Sequence, residues 1–449
     1  MPTISASQWR ENHSAKRFNP RVNADDGTEA GMPPGSGGFG GLSDTHAIIA
    51  LLQYRDTISP VPIVPAAATL LIAFALSLAL TRLAIWLGPR VGIVASPGGR
   101  RRHSRITSRL GALPLWGGFT GAVLLSQLFS VPTLDPSEPK RLLGLLLGGA
   151  FIFVVGLVDD KFELSSRPQF IAQAIAAGIA IAFTVFIERF TDPFTRAEVV
   201  LPGVIVVVIS VLWFMGMTNT VNFLDGIDGL ATSVAVVAAT VTAIHMLREG
   251  QYSVALLPIA LVGTLLGFLV FNLPPARIFL GGGALFLGFT LACVGIVAGA
   301  KVALLLLVMG LPIADVAWQI FDRARHGRSP VHGDRGHLHF RLADRGWSAR
   351  RIVLLYVGTC AAFGVAALVS QPPLFKLITL IVLAVAVIVT LFLLSNRKES
   401  STNPRMTERI RVDSWRNLFL PQAVIIKLMR MINIDFIRLE DYTSPIERQ

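Results

Sequence analysis

From Val61 onward the chain is a succession of apolar segments, each near the length needed to cross the hydrocarbon core of a bilayer. They cover residues 61–88, 111–131, 141–158, 169–187, 199–216, 230–247, 253–271, 284–300, 302–320, 352–370 and 374–395. Only 15% of the residues are charged, against about 25% in an ordinary soluble domain. The expected fold is therefore all-α, a polytopic membrane helix bundle with about eleven transmembrane helices in a domain spanning 61–395. The pair 284–300 and 302–320 has almost no loop, with Lys301 at the joint.

Residues 1–60 are polar and rich in Gly and Pro, and are expected to form a disordered tail. No apolar h-region follows their basic residues, so they lack the shape of a signal peptide. Residues 396–449 are expected to form a tail on the other side. Its stretch 415–438 interleaves Leu418, Val424, Leu428 and Ile432 with Arg416, Lys427, Arg430 and Arg438. That pattern suits a helix on the anionic membrane surface or one packed on the bundle, with a break at Pro421. Cys293 and Cys360 lie in apolar runs and read as packing residues rather than a disulfide framework. The formal charge of +12 is spread between apolar segments, which suits a membrane partner and not nucleic acid.

The loops alternate in character. Arg90, Arg100, Arg101, Arg102, Arg105 and Arg109 occupy residues 89–110 without an acid, and residues 321–351 hold eight arginines against three aspartates. The loops around Asp135, Asp192 and Glu249 are short and nearly balanced. The positive-inside rule puts the Arg-rich loops in the cytoplasm. With eleven helices the first sixty residues then fall outside and the tail, beginning Asn396-Arg397-Lys398, inside.

With this topology the unusual polar clusters share the cytoplasmic side. Asp159 and Asp160 end the apolar run 151–158. Two carboxylates there are costly, so they either serve a function or cap the helix at the water interface. Asn219, Asn222, Asp225 and Asp228 recur every three residues. On helical or 3₁₀ backbone this spacing lays oxygen donors along one broad face, the donors a hard cation such as Mg²⁺ takes. A third cluster is Asp334-Arg335-Gly336-His337-Leu338-His339-Phe340-Arg341. Its histidines lack Cys or Glu partners at zinc spacing. Arg and His together suit phosphate oxygens, or simply a solvated basic loop. A transporter would more often carry such groups near the bilayer midplane. Cation donors facing a basic loop across one membrane face suit transfer of a phosphorylated group to a lipid.

These residues resemble the polyprenyl-phosphate N-acetylhexosamine-1-phosphate transferases of glycosyltransferase family 4 type, from about Gly92 to Leu355. Val158-Asp159-Asp160-Lys161-Phe162-Glu163-Leu164 looks like the family's first acidic motif. Asn219-x-x-Asn222-x-x-Asp225-Gly226-x-Asp228-Gly229-Leu230 closely matches its most specific signature. Asp334-Arg335-Gly336-His337-Leu338-His339 looks like the histidine motif of the undecaprenyl-phosphate GlcNAc-1-phosphate transferase-like branch. Phospho-MurNAc-pentapeptide translocases carry a triple-histidine string there instead. Three departures stand out. Gly282 occupies the place of an aspartate that supplies a magnesium ligand, with one neighbouring residue missing. Gln169 replaces a lysine ten residues after the first Asp. The Pro-x-Pro-Arg-x-Gly-Gly string is eroded to Ile106-Thr107-Ser108-Arg109-Leu110-Gly111-Ala112.

The resemblance implies a bacterial inner-membrane enzyme with a cytoplasmic site that loads polyprenyl phosphate from a UDP-sugar, releases UMP and initiates a cell-envelope glycan. It implies Mg²⁺, with Mn²⁺ as a substitute, and leaves room for a homodimer. Asp159 and Asp160 would be catalytic, Asn222 and Asp225 metal ligands, and Asn219, Asp228, Arg335, His337, His339 and Arg341 substrate-binding. If Gly282 only lacks its acid, Gly282→Asp is expected to lower the Mg²⁺ requirement and raise turnover. The alternatives are a catalytically impaired homologue that binds polyprenyl phosphate or an assembly partner, and a transporter of a phosphorylated solute.

Overall fold

The computed structural model describes residues 62–95, 106–297, 302–325, 327, 336–369 and 372–395. The two expected tails, Arg100 to Arg102 and Arg335 lie outside the described residues. The helices are α1 (Ile63–Val91), α2 (Ala112–Ser126), α3 (Glu138–Phe162), α4 (Ser166–Ala182), α5 (Gly203–Leu224), α6 (Leu230–Arg248) and α7 (Tyr252–Asn272). They continue with α8 (Gly283–Val297), α9 (Val302–Val308), α10 (Gly310–Arg325), α11 (Leu338–Asp344), α12 (Ala349–Val369) and α13 (Pro373–Ser395). Two small antiparallel ribbons complete the set: β1 (Val94–Ala95) with β2 (Thr107–Ser108), and β3 (Arg189–Thr191) with β4 (Glu198–Val200).

This is a multi-pass helical membrane architecture. Each of the eleven apolar segments holds at least one helix among its described residues. Among the described residues seven helices are long and apolar enough to cross a bilayer, and eight if the bent pair is one span. The apolar helices α2 and α8 are shorter, at 15 residues each. Residues 302–320, which read as one straight span, are instead α9 and α10, bent by 80°. Gly310 and Pro312 mark the break: proline is tolerated in a helix's first turn, where its missing N–H leaves no bond unmade.

The core centres on α8, every residue of which is buried. It packs on α5 through Gly288, whose Cα lies against the Thr218 and Met217 backbone, and on α3 through Phe289 and Gly148. α1 and α13 lie at the periphery, with only 17% and 11% of their apolar windows buried. Their large exposed side chains, such as Leu71, Ile378 and Val382, suit lipid rather than water. Cys293 and Cys360 are free and buried.

α1 meets α7 closely because α7 presents glycines. A Cβ on Gly263 would overlap the Leu70 carbonyl oxygen, and one on Gly267 the Phe74 carbonyl oxygen. Small residues at such crossings let backbones approach, the main source of helix association in lipid. Gly263→Val is therefore expected to push α1 from α7, at an overpacking cost of about 1–3 kcal/mol. The measurement is the thermal unfolding midpoint in detergent; an unchanged midpoint would contradict the close crossing.

One end of the bundle is tied together by its connections. Ser108 bridges Ile278 in parallel, and Phe279 N–H donates to the Ser108 carbonyl at 2.9 Å. The Ser108 hydroxyl donates to Ala84 O at 2.9 Å. The α1–α2 and α7–α8 connections are thus clasped where the C-termini of α3 and α5 also arrive. The opposite end carries the β3–β4 hairpin and the start of α3. There Glu138 accepts the Leu134 and Asp135 N–H groups and the Ser253 hydroxyl, while Arg141 reaches Asp135 at 2.8 Å.

Candidate active site

The last turn of α3 carries the adjacent carboxylates. Asp159 is half-buried, and its Oδ1 accepts the Leu164 N–H and the Gln169 side-chain amide, each at 2.9 Å. Its backbone carbonyl accepts Glu163 N–H at 2.8 Å, with Glu163 in the left-handed region that closes the helix. Asp159 Oδ2 accepts no hydrogen bond among the described residues. Gln169 therefore contacts Asp159 without neutralising it.

Asp160 is only 4% exposed. Its Oδ2 accepts Gly282 N–H at 2.9 Å. Its Oδ1 lies 3.5 Å from Arg109 Nε, an ion-pair distance without hydrogen-bond geometry. Arg109 also reaches Glu163 at 2.9 Å. The charges of Asp159 and Asp225 both act on Asp160, so three carboxylates share this end of the bundle. The charge of Arg109 acts on both Asp159 and Asp160 and offsets part of this.

The acidic signature falls at the end of α5 and the turn that follows. Asn219 is committed to protein contacts: its amide donates to Gln173 Oε1 at 2.6 Å and to Met215 O at 2.7 Å. Asn222 is half-buried one turn on, and its side chain makes no hydrogen bond among the described residues. Asp225 closes α5, its N–H bonded to Val221 O at 3.2 Å. Asp228 Oδ2 accepts Ala276 N–H at 3.0 Å, fixing the turn to the α7–α8 connection. Gly229 then starts α6 with a φ of 72°, a conformation that favours glycine.

The histidine segment docks on this turn. His337 and His339 are 3% and 1% exposed. The His337 ring stacks on Phe223 at 5.2 Å and on His339 at 5.6 Å. The His339 ring sits directly over Gly226, where any Cβ would press into it and into Phe340. Gly226 is thus needed for close approach. Arg341 Nε donates to Gly336 O at 2.6 Å, and Gln319 of α10 donates to the same oxygen at 2.6 Å.

Gly281-Gly282-Gly283 lies between the acidic pair and α8. Gly281 has a φ of +55°, and a Cβ there would meet both Asp160 oxygens. A Cβ on Gly282 would overlap the Gly156 backbone of α3. Backbone already fills the space beside Gly282, so Gly282→Asp is expected to strain this contact. Among the described residues, no group of three or more His, Cys, Asp or Glu side chains is placed to hold a metal ion.

The site therefore unites Asp159, Asp160, Asn222, Asp225, Asp228, His337, His339 and Arg341 at one end of the bundle, with Asn219 turned to Gln173. The sequence reading passed over Asp315, which bonds His337, and Gln319. An acid inside the apolar run 302–320 was the available signal. Arg109, the arginine kept in the eroded Ile106–Ala112 string, turns out to be the partner of Asp160 and Glu163.

Fold and site define a multi-pass membrane protein whose acidic and histidine residues gather at helix ends on one side of the bundle. A model of glycosyl transferase family 4 matches residues 142–299. The decaprenyl-phosphate N-acetylglucosaminephosphotransferase of Mycolicibacterium smegmatis is 29% identical over 384 residues, covering 79% of this chain and 94% of the relative. That of Mycobacterium leprae is 30% identical over 317 residues, covering 64% and 79%. The phospho-N-acetylmuramoyl-pentapeptide-transferase of Listeria monocytogenes is 33% identical over 256 residues, covering 54% and 78%. The chain belongs to glycosyl transferase family 4, and these relatives are phosphosugar transferases.

Proposed function

We propose that the chain transfers N-acetylglucosamine-1-phosphate from UDP-GlcNAc to a polyprenyl phosphate at the cytoplasmic face of the bacterial inner membrane. The observation that carries this reading is the docking of the histidine segment onto the Asn222–Asp225 turn beside Asp159 and Asp160. Carboxylates, a carboxamide and imidazoles in one place, at a membrane face, suit a diphosphate donor and a lipid phosphate acceptor. The two mycobacterial relatives, named for decaprenyl phosphate and N-acetylglucosamine, support this choice of acceptor and sugar.

In the reaction an oxygen of the lipid phosphate attacks the β-phosphorus of the donor. The bond from that phosphorus to the α–β bridging oxygen breaks, and UMP leaves with the oxygen. Such transfers depend mainly on positioning and charge neutralisation. Asp159 receives the lipid phosphate through Oδ2, the oxygen without a protein partner. Asp160, held by Gly282 N–H and Arg109, fixes the α3 terminus against the α7–α8 loop. His337, His339 and Arg341, with Arg335, hold the donor phosphates, and Asp228 shapes the turn that faces them.

The donor set fits a Mg²⁺ shared with substrate phosphates, because this ion is commonly held by one or two protein oxygens plus substrate. Asn222 and Asp225 would hold it, and it would supply charge neutralisation to the diphosphate. Mn²⁺ would substitute. The protein is not expected to hold it tightly before the donor arrives.

The test is UMP release from membranes carrying the protein, with polyprenyl phosphate and UDP-GlcNAc, UDP-GalNAc or UDP-MurNAc-pentapeptide. UMP formation dependent on both lipid and UDP-GlcNAc is expected. A preference for UDP-MurNAc-pentapeptide would overturn the choice of sugar. The glycine at 282 favours one second reading, an impaired homologue that only binds polyprenyl phosphate. Lipid binding without UMP from any donor would establish it.

Sidedness is tested by single cysteines. An impermeant thiol reagent outside intact cells should label Thr195→Cys, in the β3–β4 hairpin, and spare Ser165→Cys, beside Asp159. The reverse pattern would remove the site from the cytoplasmic nucleotide pool.

A further inference from the structure

The bent helix carries a carboxylate that the scheme above leaves unused. Asp315, in α10, is 2% exposed. Its Oδ2 lies 3.1 Å from His337 Nδ1, and its Oδ1 accepts Leu338 N–H at 3.0 Å. Gln319, one turn further along α10, and Arg341 both donate to Gly336 O. α10 therefore grips residues 336–338 by backbone and side chain together. The other ring nitrogen, His337 Nε2, is buried and has no hydrogen-bond partner among the described residues. The ring itself is held between Phe223, which follows Asn222, and His339.

With the carboxylate as acceptor on both oxygens, as Leu338 N–H already makes Oδ1, the 3.1 Å contact places the proton on Nδ1. A neutral imidazole then keeps its lone pair on Nε2, and a protonated one offers Nε2–H. In both states Nε2 is the nitrogen left for a partner that arrives with substrate. A buried polar atom without a partner costs stability. Such sites persist where a ligand completes them.

We propose that Asp315 is a positioning residue: it fixes the tautomer and orientation of His337 so that Nε2 meets the donor's phosphate oxygens. The proposal rests on the transferase reading for the identity of the donor, but its tautomer claim stands apart from turnover. It also assigns the bent helix a role. The 80° break turns α10 so that an acid within an apolar run reaches the histidine segment.

Asp315→Asn tests it. The replacement is nearly isosteric, and its Oδ1 can still accept Leu338 N–H. Its amide would donate to Nδ1, moving the proton to Nε2. A wrong tautomer with geometry intact costs a serine protease about 10⁴-fold in kcat. Here kcat should fall at least about 100-fold, with KM for UDP-GlcNAc changed less than about threefold. His337→Gln should fall comparably, and the double variant no further, because both act through one ring. Turnover of Asp315→Asn within twofold of wild type, or losses that multiply in the double variant, would overturn the proposal.

A second readout needs no activity and no variant of Asp315. In ¹⁵N-histidine-labelled protein, the His337 signals are identified by their absence in His337→Gln. They should report Nδ1–H in wild type; an Nε2–H tautomer would overturn the assignment. If wild type releases no UMP from any donor, the transferase reading fails, while this measurement still decides the Asp315–His337 pair.

Discussion

Gly282→Asp is expected to abolish accumulation of well-folded protein rather than to raise turnover. A Cβ at this position would overlap the Gly156 carbonyl group, and α3 and the α7–α8 loop are in backbone contact there. Relief requires the loop to move outward. That would draw Gly282 N–H from Asp160 Oδ2, leaving a buried carboxylate with only the Arg109 contact at 3.5 Å. Losing the hydrogen bond to a buried polar group costs about 1–3 kcal/mol, and overpacking adds a similar amount. A new carboxylate beside Asp160 adds repulsion. Together these are a large share of the stability of a typical domain. Gly156→Ala presses on the same contact from the other side, since its Cβ would meet Gly282 O at 2.6 Å. The measurement is the fraction of solubilised protein that elutes as a single monodisperse species, followed by its unfolding midpoint. A Gly282→Asp protein that folds normally and needs less Mg²⁺ would contradict this packing.

Asp159→Asn is expected to separate stability from turnover. Asp159 Oδ1 holds both Leu164 N–H and the Gln169 amide, and the asparagine oxygen can keep both. The new amide nitrogen replaces Oδ2, which bonds no described residue. The end of α3 should therefore survive, with a stability cost of about 1 kcal/mol or less. Loss of the negative oxygen removes the group proposed to orient or deprotonate the lipid phosphate. Transfer should fall at least about 100-fold at an unchanged unfolding midpoint. Near-normal turnover would reduce Asp159 to a helix cap.

The helical membrane architecture was legible because each span is a long apolar run that must satisfy its backbone internally. The break at Gly310 was not read, although Pro312 two residues later marks a helix start. The site's residue types were legible from spacing: Asn222 and Asp225 lie one turn apart, and Asp159 and Asp160 end a helix. Which oxygens remain open was not legible. Asn219 and Asn222 look alike in sequence, but only packing turns Asn219 onto Gln173, 46 residues away. Asp160 meets Gly282 across 122 residues, and Asp315 meets His337 across 22. Such pairs follow from how helices pack, which residue spacing along one chain does not encode. The glycine at 282 shows the same limit. In sequence it stands where the family pattern has an acid; the fold adds that two backbones approach closely there.

In the proposed reaction the sugar leaves the nucleotide with its phosphate attached. UDP-GlcNAc radiolabelled at the β-phosphorus, incubated with the protein in membranes supplied with polyprenyl phosphate, tests this directly. Label is expected to move into the lipid-extractable fraction in step with UMP release, and Asp159→Asn to block both. Label retained in UDP, or lipid carrying sugar without labelled phosphorus, would contradict it.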